Sequence, residues 1–152
     1  DSVIGALEGH PERRFVWAEA SFLETWLQRD ASEAQRATLR SLVAQGRMEI
    51  VGGGYVMHDE AVTSKYAQVR QMQVGHEEVL RPFFGEGFRV KHGWQIDPFG
   101  QGTFSPTLMA LAGYEAWVTN RVGEFVKDEM KRDQGLQFLW HGNPDHLAAA
   151  DS

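Results

Sequence analysis

The run from Val90 to Gly100 has the sequence VKHGWQIDPFG. Its first seven residues, 90–96, are short and rich in apolar and aromatic side chains, which predicts a β-strand. A carboxylate, Asp97, follows this strand directly. Pro98 has no backbone N–H, so we expect the regular strand to end before it. In folds built on parallel strands the chemistry lies at the C-terminal ends of the strands, and Asp97 has that position.

Other short apolar runs alternate with longer segments of helical periodicity. The further predicted strands are Arg14–Ala18, Met48–Val51, Ala116–Thr119 and Leu136–Trp140. Helices are predicted at 21–28, 32–45, 66–83 and 104–111, and a charged helix is predicted before the last strand. Ser32 and Gln35 have the spacing of a helix capping box. Strands that alternate with helices predict an α/β fold with mostly parallel strands.

The bulk composition excludes several classes of function. The 152 residues carry 15 basic and 21 acidic side chains, a formal net charge of −6. This balance gives no electrostatic reason to expect nucleic acid as a partner. No apolar run approaches the roughly 20 residues that cross a bilayer, so we predict no membrane segment. With no cysteine, thiol nucleophiles and disulfides are excluded.

Three further places have side chains suited to chemistry at predicted strand ends. Glu19 follows the first strand, and Arg121 follows the strand that ends near Asn120. Three glycines, 52–54, precede the cluster His58-Asp59-Glu60. The glycines allow close backbone approach, while the acids could instead favour the N-terminus of the next helix. Taken alone, Asp97 could also be an ordinary Asp-Pro turn.

Taken together, five segments in order resemble glycoside hydrolase family 38, the Golgi and lysosomal type of α-mannosidase. They are Arg14–Phe22, Glu49–Ala61, Trp94–Gly100, Asn120-Arg121 and Leu136–Trp140. The resemblance implies that the chain is part of a β/α barrel. We therefore expect residues 1–152 to be a partial N-terminal catalytic domain, truncated at both ends and inactive when alone.

The resemblance also implies roles for individual residues. Asp97 corresponds to the catalytic nucleophile of the family and to one of its zinc ligands. Phe99 corresponds to an aromatic residue that lines the sugar subsite, and Arg121 borders the active site. The implied reaction is hydrolysis of α-linked mannose in a glycan by a zinc-assisted double displacement, which retains configuration. Glu19, Asp59 and Glu60 match family positions to which we assign no role.

The sequence departs from the family pattern at two positions. Gln101-Gly102 follows Gly100 where His-Ser is usual, and Tyr55 stands where Trp is usual. A non-catalytic sugar-binding or structural remnant is therefore one alternative to the enzyme. A polysaccharide deacetylase on a related barrel is another, although its His-Xaa-Xaa-Xaa-His ligand set is missing, and the consecutive His58, Asp59 and Glu60 cannot all face one metal ion from regular structure. His141 and His146 have no metal-ligand spacing that supports a site.

Overall fold

The computed structural model describes residues 2–142. In chain order its elements are α1 (Ser2–Glu8), β1 (Phe15–Trp17), α2 (Ala20–Arg29), α3 (Glu33–Ala44), β2 (Met48–Ile50), α4 (Lys65–Gln73), a π-helical segment (Val74–Leu80), α5 (Arg81–Phe84), β3 (His92–Phe99), α6 (Phe104–Leu111), β4 (Ala116–Arg121) and α7 (Glu124–Arg132). These elements form two compact units. The first unit contains the described residues up to Val56 together with Arg70–Val90, and the second contains Met57–Val69 and the described residues from Lys91 onward.

The first unit has a two-stranded parallel sheet, and helix α3 packs against its strand β2. β1 pairs with β2 in the register Phe15↔Met48, Val16↔Glu49 and Trp17↔Ile50. Helix α2 buries Leu23 and Leu27, four residues apart, while the neighbouring Phe22 stays 61% exposed. The capping box is confirmed, because Ser32 Oγ accepts from Gln35 N–H and Gln35 Oε1 accepts from Ser32 N–H.

Two of the three glycines, Gly53 and Gly54, lie against the π-helical segment. Gly52 and Gly53 have φ angles of 73° and 67°, which favour glycine. A Cβ on Gly75 would lie 2.1 Å from the carbonyl oxygen of Gly53 and 2.6 Å from the carbonyl carbon of Gly54. The close approach predicted for the glycines is therefore confirmed, and their partner is a helix backbone.

The second unit has a β–α–β arrangement. Its two parallel strands, β3 and β4, are connected through helix α6 and pair in the register His92↔Ala116 to Gln95↔Thr119. Helix α6 buries all residues from Ser105 to Met109. Gly93 permits tight packing, because a Cβ there would lie 3.1 Å from Trp117 and 3.2 Å from Met109 Sδ. The predicted parallel α/β architecture is thus confirmed in both units.

One expectation about strands was confirmed in part and another was wrong. The regular pairing of β3 ends at Gln95, before Pro98, as expected, but the strand continues through an irregular register to Phe99. Leu136–Trp140 is not a strand. There Leu139 is 90% exposed, so the apolar run is not buried in a sheet, and Trp140 instead stacks on Trp117 with ring centroids 5.2 Å apart.

Two further expectations concerned a β/α barrel and the absence of a membrane segment. Within residues 2–142 the strands form two sheets of two strands each, so a closed barrel is not shown. None of the helices described is long and apolar enough to cross a membrane.

The glycine packing of the first unit generates a stability prediction. Gly75→Ala should lower the free energy of unfolding by about 1–3 kcal/mol, because the new methyl group meets backbone that cannot rotate away. The matched control is Gly5→Ala in α1, where a Cβ meets nothing within 4 Å. That change should raise stability by up to about 1 kcal/mol. Thermal denaturation of both variants measures the difference, and equal melting temperatures would contradict the packing described.

Candidate active site

Asp97, Phe99 and Arg121 come together at the C-terminal ends of β3 and β4. Phe99 and Arg121 are register partners across the two strands. Arg121 Nη2 lies 2.7 Å from Asp97 Oδ1, and the Arg121 Cζ lies 5.9 Å from the centroid of the Phe99 ring. The arginine thus contacts both other residues. The structure therefore brings together all three residues that the sequence analysis selected.

The register irregularity of β3 determines the direction in which Asp97 points. Strict alternation would place Gly93, Gln95, Asp97 and Phe99 on one face of the strand. The first two are buried, whereas Asp97 and Phe99 are exposed and Pro98 is buried. Within the irregular segment, the face of the strand that was buried becomes exposed, and the opposite face becomes buried. This irregularity turns the carboxylate and the aromatic ring outward, as bulges beside active sites commonly do.

An open cleft of about 480 Å³ lies beside Phe99 and Arg121. Its lining residues are Phe99, Gly100, Asn120, Arg121, Val122, Gly123 and Lys127. Lys127 Nζ donates to the backbone oxygen of Asn120 at 2.5 Å and to its Oδ1 at 3.1 Å. The Phe99 side chain is 71% exposed. The cleft therefore combines an apolar surface with fixed hydrogen-bonding groups.

A buried polar network lies in the same unit as Asp97. Gln95 Nε2 is 3.2 Å from Glu60 Oε1, 3.2 Å from the His58 carbonyl oxygen and 3.3 Å from His58 Nε2. Glu60 Oε2 accepts from Gly102 N–H and from Ser105 Oγ, each at 2.5 Å. Gln95, Ser105 and His58 are at most 5% exposed. Gln95 and Ser105 were not among the predicted site residues, although a single polar residue between Trp94 and Ile96 is a signal for such a network.

Asp59 and Glu60 have different surroundings despite being neighbours. Asp59 Oδ1 accepts from the N–H groups of Ala61 and Val62, both at 2.8 Å, and so closes a local turn.

Burial lowers the pKa of His58, and the carboxylates of Glu60 and Asp59 partly oppose this effect. His58 is therefore a neutral, buried member of the network near neutral pH.

The first unit holds Glu19 in an unusual backbone conformation. Its φ angle is 65°, in the left-handed region, and it is the N-cap residue of α2. Trp17 Nε1 donates to its carbonyl oxygen at 3.3 Å. A residue other than glycine seldom occupies this region, and functional sites are one place where it occurs.

The described residues do not make a complete metal site. Among residues 2–142, no group of three or more His, Asp or Glu side chains could hold a metal ion. Asp97 offers a single carboxylate, one of whose oxygens is bonded to Arg121. His141 is exposed, and His146 lies outside the described residues. A closed zinc site needs about four ligands, so these residues alone do not fit one.

The pKa of His58 generates a prediction about stability. The folded pKa lies below the usual value of 6.5, so the unfolded chain binds a proton first as the pH falls. Stability should therefore decrease as the pH falls through about 6.5 towards the folded pKa. His58→Gln should reduce this slope of stability against pH. Burial also lowers the pKa of His76, so His76 should account for the slope that remains.

Urea unfolding between about pH 7.5 and 5 measures the slope. His10→Gln is the control, because the His10 side chain is 50% exposed. A His58→Gln slope equal to that of the control would contradict the assignment of His58 as a buried neutral group.

The comparisons with solved structures agree with the observed fold. The chain resembles an α-mannosidase from Enterococcus faecalis V583 with a TM-score of 0.64 and 26% identity, covering 78% of this chain and 13% of that one. It resembles a 4-α-glucanotransferase from Thermococcus litoralis with a TM-score of 0.59 and 23% identity, covering 75% of this chain and 17% of that one. At that identity, the second likeness concerns the fold alone.

Curated relatives match nearly the whole chain. The epididymis-specific α-mannosidase of Sus scrofa is 41% identical over 143 residues, which are 94% of this chain and 14% of the relative. α-Mannosidase F of Dictyostelium discoideum is 40% identical over 139 residues, 91% of this chain and 14% of the relative. The chain thus spans about one seventh of the length of these relatives. The model of the N-terminal domain of glycosyl hydrolases family 38 matches residues 1–147, and the chain belongs to that family.

Proposed function

We propose that this chain contributes the nucleophile of a retaining α-mannosidase whose catalytic domain is a β/α barrel. The observation that carries the proposal is the convergence of Asp97, Phe99 and Arg121 at the ends of two adjacent parallel strands. Membership in the glycosyl hydrolase family and the names of its relatives support an α-mannoside glycan as the substrate.

In the proposed reaction, the Asp97 carboxylate attacks the anomeric carbon of the sugar. A bond forms between a carboxylate oxygen and this carbon while the bond to the leaving glycosidic oxygen breaks. The leaving oxygen takes a proton from a second carboxyl group, and water later releases the sugar. We assign this second group to none of residues 2–142. Asp97 is 64% exposed, so substrate has access to it.

Arg121 and Phe99 have separate roles in this proposal. The guanidinium group holds Asp97 Oδ1 at 2.7 Å, which fixes the orientation of the carboxylate and leaves Oδ2 to attack. An ion pair this exposed contributes only about 0–1 kcal/mol to stability, so its role is orientation. The exposed Phe99 ring would pack against the apolar face of the sugar.

We also propose Asp97 as one ligand of a zinc ion in the longer protein. A bound zinc ion would polarise sugar hydroxyl groups and help to orient the substrate. The remaining ligands would come from outside residues 2–142, since these residues hold no set of three ligands. The roles given to Asp97, Arg121 and Phe99 above do not depend on the metal.

The proposal predicts different effects for three substitutions in the full-length gene product. Asp97→Asn removes the nucleophilic charge and should lower kcat by roughly four orders of magnitude. Arg121→Lys keeps the charge but loses the planar fork, so kcat should fall about tenfold to a hundredfold. Phe99→Ala should mainly raise KM, by roughly fivefold to tenfold. Hydrolysis of an aryl α-mannoside measures all three effects.

Bound zinc, measured by atomic emission in the same preparations, separates the two proposed roles of Asp97. Asp97→Ala should lower both turnover and zinc content, whereas Phe99→Ala and Arg121→Lys should leave the zinc content nearly unchanged. Asp128→Asn is the matched control, because Asp128 is an exposed carboxylate paired with Lys131 at 3.0 Å. Near-normal turnover of Asp97→Asn would contradict the proposal. A wild-type protein that binds mannosides without turnover would favour the sugar-binding remnant.

A further inference from the structure

Glu60 contacts the chain on both sides of Asp97. Its Oε1 accepts from Gln95, two residues before Asp97, and its Oε2 accepts from the N–H of Gly102, three residues after Phe99. Ser105, in the first turn of α6, donates to the same Oε2. One carboxylate therefore connects strand β3, the loop that leaves it and the following helix.

The strand ladder does not hold this segment in a regular way. The pairing of β3 with β4 is irregular between Gln95 and Phe99, which is where Asp97 and Pro98 lie. Pro98 cannot donate to a ladder. Gln101 Nε2 donates to the carbonyl oxygen of Pro98 at 3.0 Å, a bond within the loop itself. The conformation of Asp97 therefore depends on contacts other than the pairing of the two strands.

The contacts of Glu60 are suited to fix that conformation. Hydrogen bonds to a carboxylate are stronger than those between neutral groups, and Oε2 accepts two of them, from Gly102 N–H and Ser105 Oγ. Gln95 and Ser105 are 2% and 1% exposed, so water competes little for them. The contact at residue 102 is made by the backbone and does not depend on a particular side chain there.

We propose that Glu60 is a positioning residue for the reaction: it clamps the segment between Gln95 and Gly102 so that Asp97 faces the substrate. This inference rests on the proposed function of Asp97. Glu60 does not touch the substrate in this arrangement and acts only through the loop. Its loss should reduce the rate at which Asp97 attacks, more than it reduces the binding of the sugar.

The test uses the full-length gene product with Glu60→Gln, Ser105→Ala and a control, Asp59→Asn. The control makes the same acid-to-amide change one residue away, at a carboxylate whose hydrogen bonds close a local turn. In Asp59→Asn, the side-chain Oδ1 can still accept the hydrogen bonds from the N–H groups of Ala61 and Val62. The measurements are kcat and KM, and the rate at which an activated fluoro-mannoside labels Asp97, read by intact mass and peptide mapping.

Glu60→Gln should lower kcat and the labelling rate by about tenfold to a hundredfold while KM changes less than about threefold. Ser105→Ala removes one of the three donors, so it should lower kcat in the same direction by a smaller factor. If Glu60→Gln does not fold, the same measurements on Ser105→Ala test the inference. Asp59→Asn should match the wild type. Hydrogen exchange of the peptide that contains Gly102 should be faster in Glu60→Gln and unchanged in the control.

Two outcomes would overturn the inference. The first is a normal labelling rate per folded molecule in Glu60→Gln and Ser105→Ala, even if their melting temperatures fall, since Glu60 would then be only structural. The second is unchanged exchange at Gly102. The proposed function fails separately, through turnover by Asp97→Asn or labelling at another residue.

Discussion

The parallel pairing of β3 with β4 determines where each side chain of the candidate active site lies. Parallel strands end at the same edge of a sheet, so Asp97, near the end of β3, and Arg121, at the end of β4, are brought together although 24 residues separate them. Helix α6 makes this pairing possible, because it crosses between the strands and buries its central residues. Arg121 contacts both Asp97 and Phe99 as a result of this register.

The pairing of β3 with β4 is irregular in one place, and the proposed nucleophile, Asp97, lies there. Proline interrupts the hydrogen-bond ladder, and the strand responds with an irregularity that turns Asp97 outward. The exposed ion pair with Arg121 contributes little energy because water competes for both groups. Partly buried hydrogen bonds to a carboxylate are better able to hold a loop in one conformation. The Glu60 network has this character, and the Arg121 pair does not.

Much of the fold was predictable because its signals are local. The strands near Phe15, Met48, His92 and Ala116 have short apolar runs, and the capping box of α3 needs only two residues with the correct spacing. The run from Leu136 to Trp140 has the same composition but is not a strand. A local pattern does not reveal whether a neighbouring strand is available to pair with it.

The candidate site was predictable only where its signals are local in the sequence. Asp97 and Arg121 follow predicted strands, so the rule for strand ends selects them, and the family resemblance adds Phe99. Glu60 and Ser105 are 45 residues apart, and only the tertiary fold brings them together. The three glycines illustrate the opposite case. Their sequence signals a close approach, but the partner is the helix backbone at Gly75, which no local pattern identifies.

The electrostatics of the cleft favour a neutral ligand over an anion. Both cationic side chains that line it are already bonded to oxygen atoms of the chain: Arg121 to Asp97, and Lys127 to Asn120. An anion would have to displace these partners or share the cations with them. A sugar has no charge, and its hydroxyl groups can accept from the remaining N–H groups and donate to the carboxylate. Its apolar face can meanwhile cover Phe99. A polyhydroxylated neutral ligand therefore suits this cleft better than a phosphate or a carboxylate.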